Sequence, residues 1–74
     1  MSYPRTMNGW PVIAGQPIDK LHYAVMVDRM GDEKLGKFAV AIHQAGSGET
    51  YKLNTVRYHR NMESANADLE SRKA

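Results

Sequence analysis

Two short alternating runs, at residues 21–29 and 37–44, stand out from the rest of this chain. In the first, Leu21, Tyr23, Val25 and Val27 share one parity, and His22, Ala24, Met26 and Asp28 share the other. In the second, Phe38, Val40 and Ile42 alternate with Ala39, Ala41 and His43. A period of two marks strands whose two faces meet different surroundings. Residues 30–36 between them are polar and carry two glycines, as a hairpin connection should. The pattern predicts that Tyr23, Val25, Val27, Phe38, Val40 and Ile42 form one apolar face, the core beneath a helix. The opposite face then holds His22 and His43 among alanines and Met26. It is either open to a partner or covered by the N-terminal segment.

The flanks read less regularly. Residues 1–20 hold all three prolines (Pro4, Pro11, Pro17) and the Gly9 and Gly15 breaks, which disfavour a helix. Asn8-Gly9 is a turn signal, with Trp10, Val12 and Ile13 as a short extended patch beside it. This segment is expected to be an arm packed on the sheet or an edge strand, since Pro11 cannot donate to a central ladder. Residues 45–49 form a Gly/Ser loop. Residues 51–59 are a third strand candidate whose apolar parity switches, from Tyr51 and Leu53 to Val56 and Tyr58. The switch predicts a bulge or break near Asn54-Thr55. A helix is expected over 61–73. Asn61 is its N-cap, Glu63 lies in its first turn, and Arg72 and Lys73 at its end suit the dipole. Met62, Ala65 and Leu69 form a narrow apolar stripe. A helix this short must dock to persist. The expected architecture is a single α+β domain, 1–74, with an antiparallel sheet of three to four strands and one C-terminal helix packed on it.

At 74 residues the chain has room for one core, and a domain of this size buries only about 60% of its unfolded surface. Cysteine is absent, so disulfides and thiolate metal sites are excluded. Small domains without such staples lean on good packing or self-association, and a homodimer is expected here. The net charge of +2 and pI near 9.1 are a mild bias that does not by itself mark nucleic acid as the partner. No apolar run approaches the roughly 18 residues of a membrane span. The first residues lack the apolar stretch of a secretory signal. The expectation is a cytoplasmic protein.

Catalytic equipment is sparse. His22 and His43 are expected on one face as cross-strand neighbours, but a zinc site needs a third ligand. Asp28, on the same face, lies about 20 Å along the strand, so no metal or cofactor is expected. Ser47 sits in a glycine-flanked loop that is neither a nucleophile elbow nor a phosphate loop. No two carboxylates are spaced to share acid and base work, and Asp32-Glu33 reads as a solvated loop tip. The expectation is a protein without catalytic residues. The stretch from Tyr51 to Arg60 is the one with functional character, because it mixes rings with cations. Tyr51, Lys52, Arg57, Tyr58 and Arg60, with Trp10 on the proline-rich arm, are the candidate partner-binding residues. Rings stacking on bases and cations on phosphates would suit single-stranded nucleic acid. The plainer use of the stretch is an edge strand whose charges prevent aggregation. Five methionines suit gap-filling in a small core or an adaptable binding surface.

Tyr3-Pro4-Arg5-Thr6-Met7-Asn8-Gly9-Trp10-Pro11-Val12-Ile13 resembles an opening found in some actinobacterial-phage proteins, including cell-wall peptidases. Those are zinc enzymes that need a His-x-His pair. His22, His43 and His59 stand alone here, so that activity is not carried over. Phe38-Ala39-Val40-Ala41-Ile42-His43, then Arg57-Tyr58-His59 and the acidic helix, resembles small tailed-phage orphan proteins in layout. The resemblance implies a small phage-type protein. The lack of a catalytic constellation, with Trp10 and the aromatic-basic stretch as candidate interfaces, adds the expectation of a non-enzymatic accessory protein that binds and modulates a host or phage protein. A nucleic-acid-binding protein and an oligomeric virion or assembly component are the alternatives.

Overall fold

Asn8 and Gly9 have φ values of 53° and 83°, the two positive angles that a type I′ turn demands. They fold the N-terminal segment into a hairpin. In the computed structural model, which describes residues 4–30 and 34–72, β1 (Thr6–Met7) pairs antiparallel with β2 (Trp10–Pro17), Met7 opposite Trp10. Pro11 is tolerated because only two residues of β2 pair with β1, and Val12 N–H supplies the next bond, to the Arg5 carbonyl at 2.8 Å.

β2 then pairs with β3 (His22–Asp28), with a register shift between Val12 and Ala14. The extra residue, Ile13, bends the strand. The bend carries the β1–β2 turn across the sheet, where Asn8 N–H donates to the Glu49 carbonyl at 3.0 Å and Thr6 Oγ1 to Glu49 Oε1 at 2.6 Å. β3 pairs with β4 (Phe38–Gln44), and β4 with β5 (Arg57–His59). The sheet has five antiparallel strands among the described residues, in sequence order, one more than the upper expectation. The extra strand comes from the arm, which is a hairpin.

The expected third strand is shorter than its sequence range. A 3-10 turn at Leu53–Thr55 interrupts it where the parity switches. Helix α1 (Met62–Ser71) begins at Asn61, whose side chain accepts from Ser64 N–H at 2.8 Å. Asp32-Glu33 and Lys73 lie outside the described residues.

The predicted single apolar face is corrected by the register. Val25 sits opposite Ala41, Met26 opposite Val40 and Val27 opposite Ala39. Tyr23, Val25 and Val27 thus share a face with Ala39, Ala41 and His43, while Phe38, Val40 and Ile42 share the other with Ala24 and Met26. Tyr23, Val25, Val27 and Ala39 form one buried cluster with Met7, against which Trp10, Val12, Tyr51 and Val56 pack. Ala24, Met26 and Val40 form the second with Ala65 and Leu69 of α1, flanked by Ile18, Phe38 and Ile42. The helix covers one face, and the arm covers the other.

Candidate functional site

β5 shows alternate side chains to the two faces. Tyr58 is opposite Ala39 on the arm face, while Arg57 and His59 are opposite Val40 and Phe38 on the helix face. The basic-aromatic stretch is therefore divided. Tyr51 is half-buried against the arm-face cluster, and Lys52 is exposed, its N–H bonded to the Ile42 carbonyl at 2.8 Å. Arg57 and Arg60 are exposed. No continuous ladder of rings and cations survives the 3-10 turn.

What the fold does bring together are Trp10 and Tyr58. Both rings flank the guanidinium of Arg29, at 5.6 and 4.7 Å from the centroids, within cation–π range. Arg29 is buried, and its Nη1 donates to the Gly36 carbonyl at 3.1 Å. Trp10 is half-buried and packs on the core, as an arm anchor would. Tyr58 is 37% exposed, and Met30 and Leu35 beside Arg29 and Gly36 are exposed at 70% and 55%. Arg29 was missed in sequence because a charge at a strand end ordinarily reads as solvated.

A second cluster joins α1 to β5. His59 Nε2 lies 2.8 Å from Asp68 Oδ2, and its Nδ1 lies 3.1 Å from Ser64 Oγ. With a proton on Nε2 the ring donates to the Asp68 carboxylate. Arg72 holds the same carboxylate, Nε to Oδ1 at 3.0 Å and Nη2 to Oδ2 at 3.3 Å, and its Nη1 donates to the Thr55 carbonyl at 2.8 Å. Burial pushes the Asp68 carboxyl upward. The hydrogen bonds from Arg72 and His59, with their charges, outweigh that and hold it below the ordinary value. Serine, histidine and aspartate stand in the order of a nucleophile relay. Here, however, the guanidinium already compensates the carboxylate that would steady an imidazolium. The cluster is best described as a clamp tying the helix to β5 and to the 3-10 turn. Its sequence signal was Asp68 lying between Ala65 and Leu69 on the apolar stripe, with Arg72 one turn on.

The expected His22–His43 neighbourhood is not formed. His43 pairs with Tyr23, and His22 with Gln44, which puts the two imidazoles on opposite faces. His43 is buried and its Nδ1 donates to the Thr50 carbonyl at 2.7 Å, with its ring 6.4 Å from that of Tyr23. His22 is bound to Asp19 at 2.9 Å. The Asp19 carboxylate also accepts from the N–H groups of Leu21 and His22, and these bonds, Leu21 first, hold its carboxyl below the ordinary value. Among the described residues, no three His, Asp or Glu side chains gather as a metal site, and no helix is long and apolar enough to cross a membrane.

On the helix face an open groove of about 530 Å³ runs between the 3-10 turn, β5 and the end of α1. Ile18 and Ile42 supply apolar lining, Val56 borders it, and Asn54, Arg57 and Arg72 supply polar groups. Comparison with protein-family models, curated proteins and solved structures returned no match.

Proposed function

We propose that this chain is a small non-enzymatic accessory protein of the tailed-phage type, which binds a host or phage protein and modulates it. The observation that carries the reading is the stack of Trp10 and Tyr58 on Arg29, with Met30, next to Arg29 in the chain, and Leu35, next to Gly36, both exposed. Trp, Tyr and Arg are the residue types that concentrate binding energy at interfaces. Rings held in place before the partner arrives lose less side-chain freedom on binding. Trp10 and Arg29 form the support, and Tyr58, Met30 and Leu35 make the contact.

Affinity capture from host lysate tests this reading. A partner retained by the wild type and by Leu53→Ala, but lost by both Tyr58→Ala and Met30→Lys, supports it. A partner indifferent to those two changes counts against it. Oligonucleotide anisotropy is the competing arm. Single-strand binding with a steep salt slope, weakened by Arg57→Ala and Arg60→Ala, would replace the reading with nucleic-acid recognition. Sedimentation across concentration separates a monomeric modulator from a homodimer or assembly component.

A further inference from the structure

We infer that the helix-face groove binds the C-terminal carboxylate of an apolar peptide. This goes beyond the reading above and uses neither Trp10 nor Tyr58. The groove is shallow and open, about 530 Å³, and apolar and cationic side chains meet along its wall. Ile18 and Ile42 line it with branched aliphatic surface, and Val56 borders it. Arg57, exposed, and Arg72, half-buried, bring guanidinium groups to the same space.

Asp68 also borders the groove, and its charge is spent internally. Both carboxylate oxygens are bound, to Arg72 and to His59. With Asp68 and Arg72 cancelling, Arg57 leaves the site one positive charge in excess. Arg72 uses three of its five N–H donors on Asp68 and Thr55. The remaining two belong to a side chain already fixed in place, so a carboxylate meets donors that need no ordering.

A peptide suits the groove better than a hydrocarbon acid. Asn54, exposed on the wall, offers both a donor and an acceptor. A backbone amide uses both, and an alkyl chain uses neither. The groove is also open, so one side of the occupant stays in water, as a peptide tolerates.

Titration of the full chain with acetyl-Leu-Val-Ile, followed by amide and methyl NMR shifts, tests this. The free acid is expected to give saturable shifts at Ile18, Ile42, Val56 and Arg57. The same peptide with a C-terminal amide, and Arg57→Gln with the free acid, should each bind about tenfold more weakly. Asn54→Ala should weaken the peptide and leave decanoate unchanged. Equal affinity for acid and amide overturns the inference, as does the lack of saturable shifts at these residues. Tighter binding of decanoate than of the peptide, or equal binding of an amidated peptide with an internal glutamate, overturns the choice of a chain end.

Discussion

The two faces of the β3–β4 hairpin are both buried, and their covers differ in kind. The arm face is closed by apolar packing: Met7 is fully buried against Tyr23, Val25 and Val27, with Val12, Tyr51 and Val56 around it. The helix face is closed by α1, which contributes only Ala65 and Leu69 to the buried cluster. A ten-residue helix with two apolar anchors gains little from burial, and helices this short are marginal alone. The Asp68 clamp supplies the directional bonds that the narrow stripe lacks. The arm carries the Arg29 stack and the Glu49 hydrogen bonds at its margin, on top of an apolar contact that includes a fully buried side chain of its own, Met7. The helix depends more on a few well-aligned polar contacts. The groove and the clamp share this second face because the helix leaves part of it uncovered.

Removing a buried methionine from each face breaks the comparison most directly. Met26 and Met7 are both fully buried. Each change to alanine should cost about 2–5 kcal/mol, and the two should differ in what is lost. Met26 is on a central strand paired on both sides, so Met26→Ala should lower the denaturant midpoint of the whole chain. Met7 is on a two-residue strand at the sheet end. Met7→Ala should fall near the low end of that range and speed amide exchange at residues 5–12 ahead of the rest. Equal, global exchange in both variants would show that the arm is not a separable cover.

The elements legible in the sequence were those decided by local chemistry. Asn8-Gly9 specifies its turn by tolerance of positive φ, Asn61 its cap by one side-chain oxygen, and the parity switch marks the 3-10 turn at Leu53–Thr55. The register of the hairpin was not legible. Grouping Tyr23, Val25 and Val27 with Phe38, Val40 and Ile42 maximises one apolar face, which is the right choice for a sheet covered on one side. This sheet is covered on both. Hydrophobic pattern then fixes no register, and a slip of one residue exchanges every facing partner. The same slip joined His22 to His43 on paper and separates them in the fold. Of the candidate partner residues, Trp10 and Tyr58 meet, while Tyr51 and Lys52 lie beyond the 3-10 turn. Arg29 was hidden because the burial of a charge depends on partners 19 and 29 positions away in Trp10 and Tyr58.

The clamp offers the next largest effect and sharpens the contrast by pH. Asp68→Ala leaves Arg72 and His59 facing each other without the carboxylate, and should cost about 2–3 kcal/mol, below the range for a fully buried pair. The carboxyl is held below its ordinary value in the folded chain. Its contribution is therefore complete above the unfolded value of about 3.9 and is lost as pH falls through the lower folded value. Urea titrations between neutral pH and about pH 3 should show the wild type losing this advantage over Asp68→Ala as the acid limit is approached. A constant gap across that range would mean the carboxylate is not the group that matters. Gly36→Ala probes the joint between the hairpin and β5. The glycine has φ of +134°, and an added Cβ would lie 2.7 Å from the His59 carbonyl oxygen. Strained backbone of this kind costs about 1–3 kcal/mol, so this variant should melt early and weaken the Arg29 bond to the Gly36 carbonyl.

The smallest change separates the two covers most cleanly. Asn61→Ala removes the side-chain acceptor for Ser64 N–H and touches neither hydrophobic cluster. Loss of such a cap costs about 1 kcal/mol, roughly 4–8 °C in a domain of this size. The cap fixes the helix turn that carries Ser64, whose Oγ lies 3.1 Å from His59 Nδ1, so freeing that turn loosens one end of the clamp. Amide exchange should rise in the first turn of α1 and at His59, while Met7, Trp10 and Val12 keep their protection. Equal loss in the arm would mean the hairpin transmits the change through Val25 and Met26, and that its two covers fold as one unit.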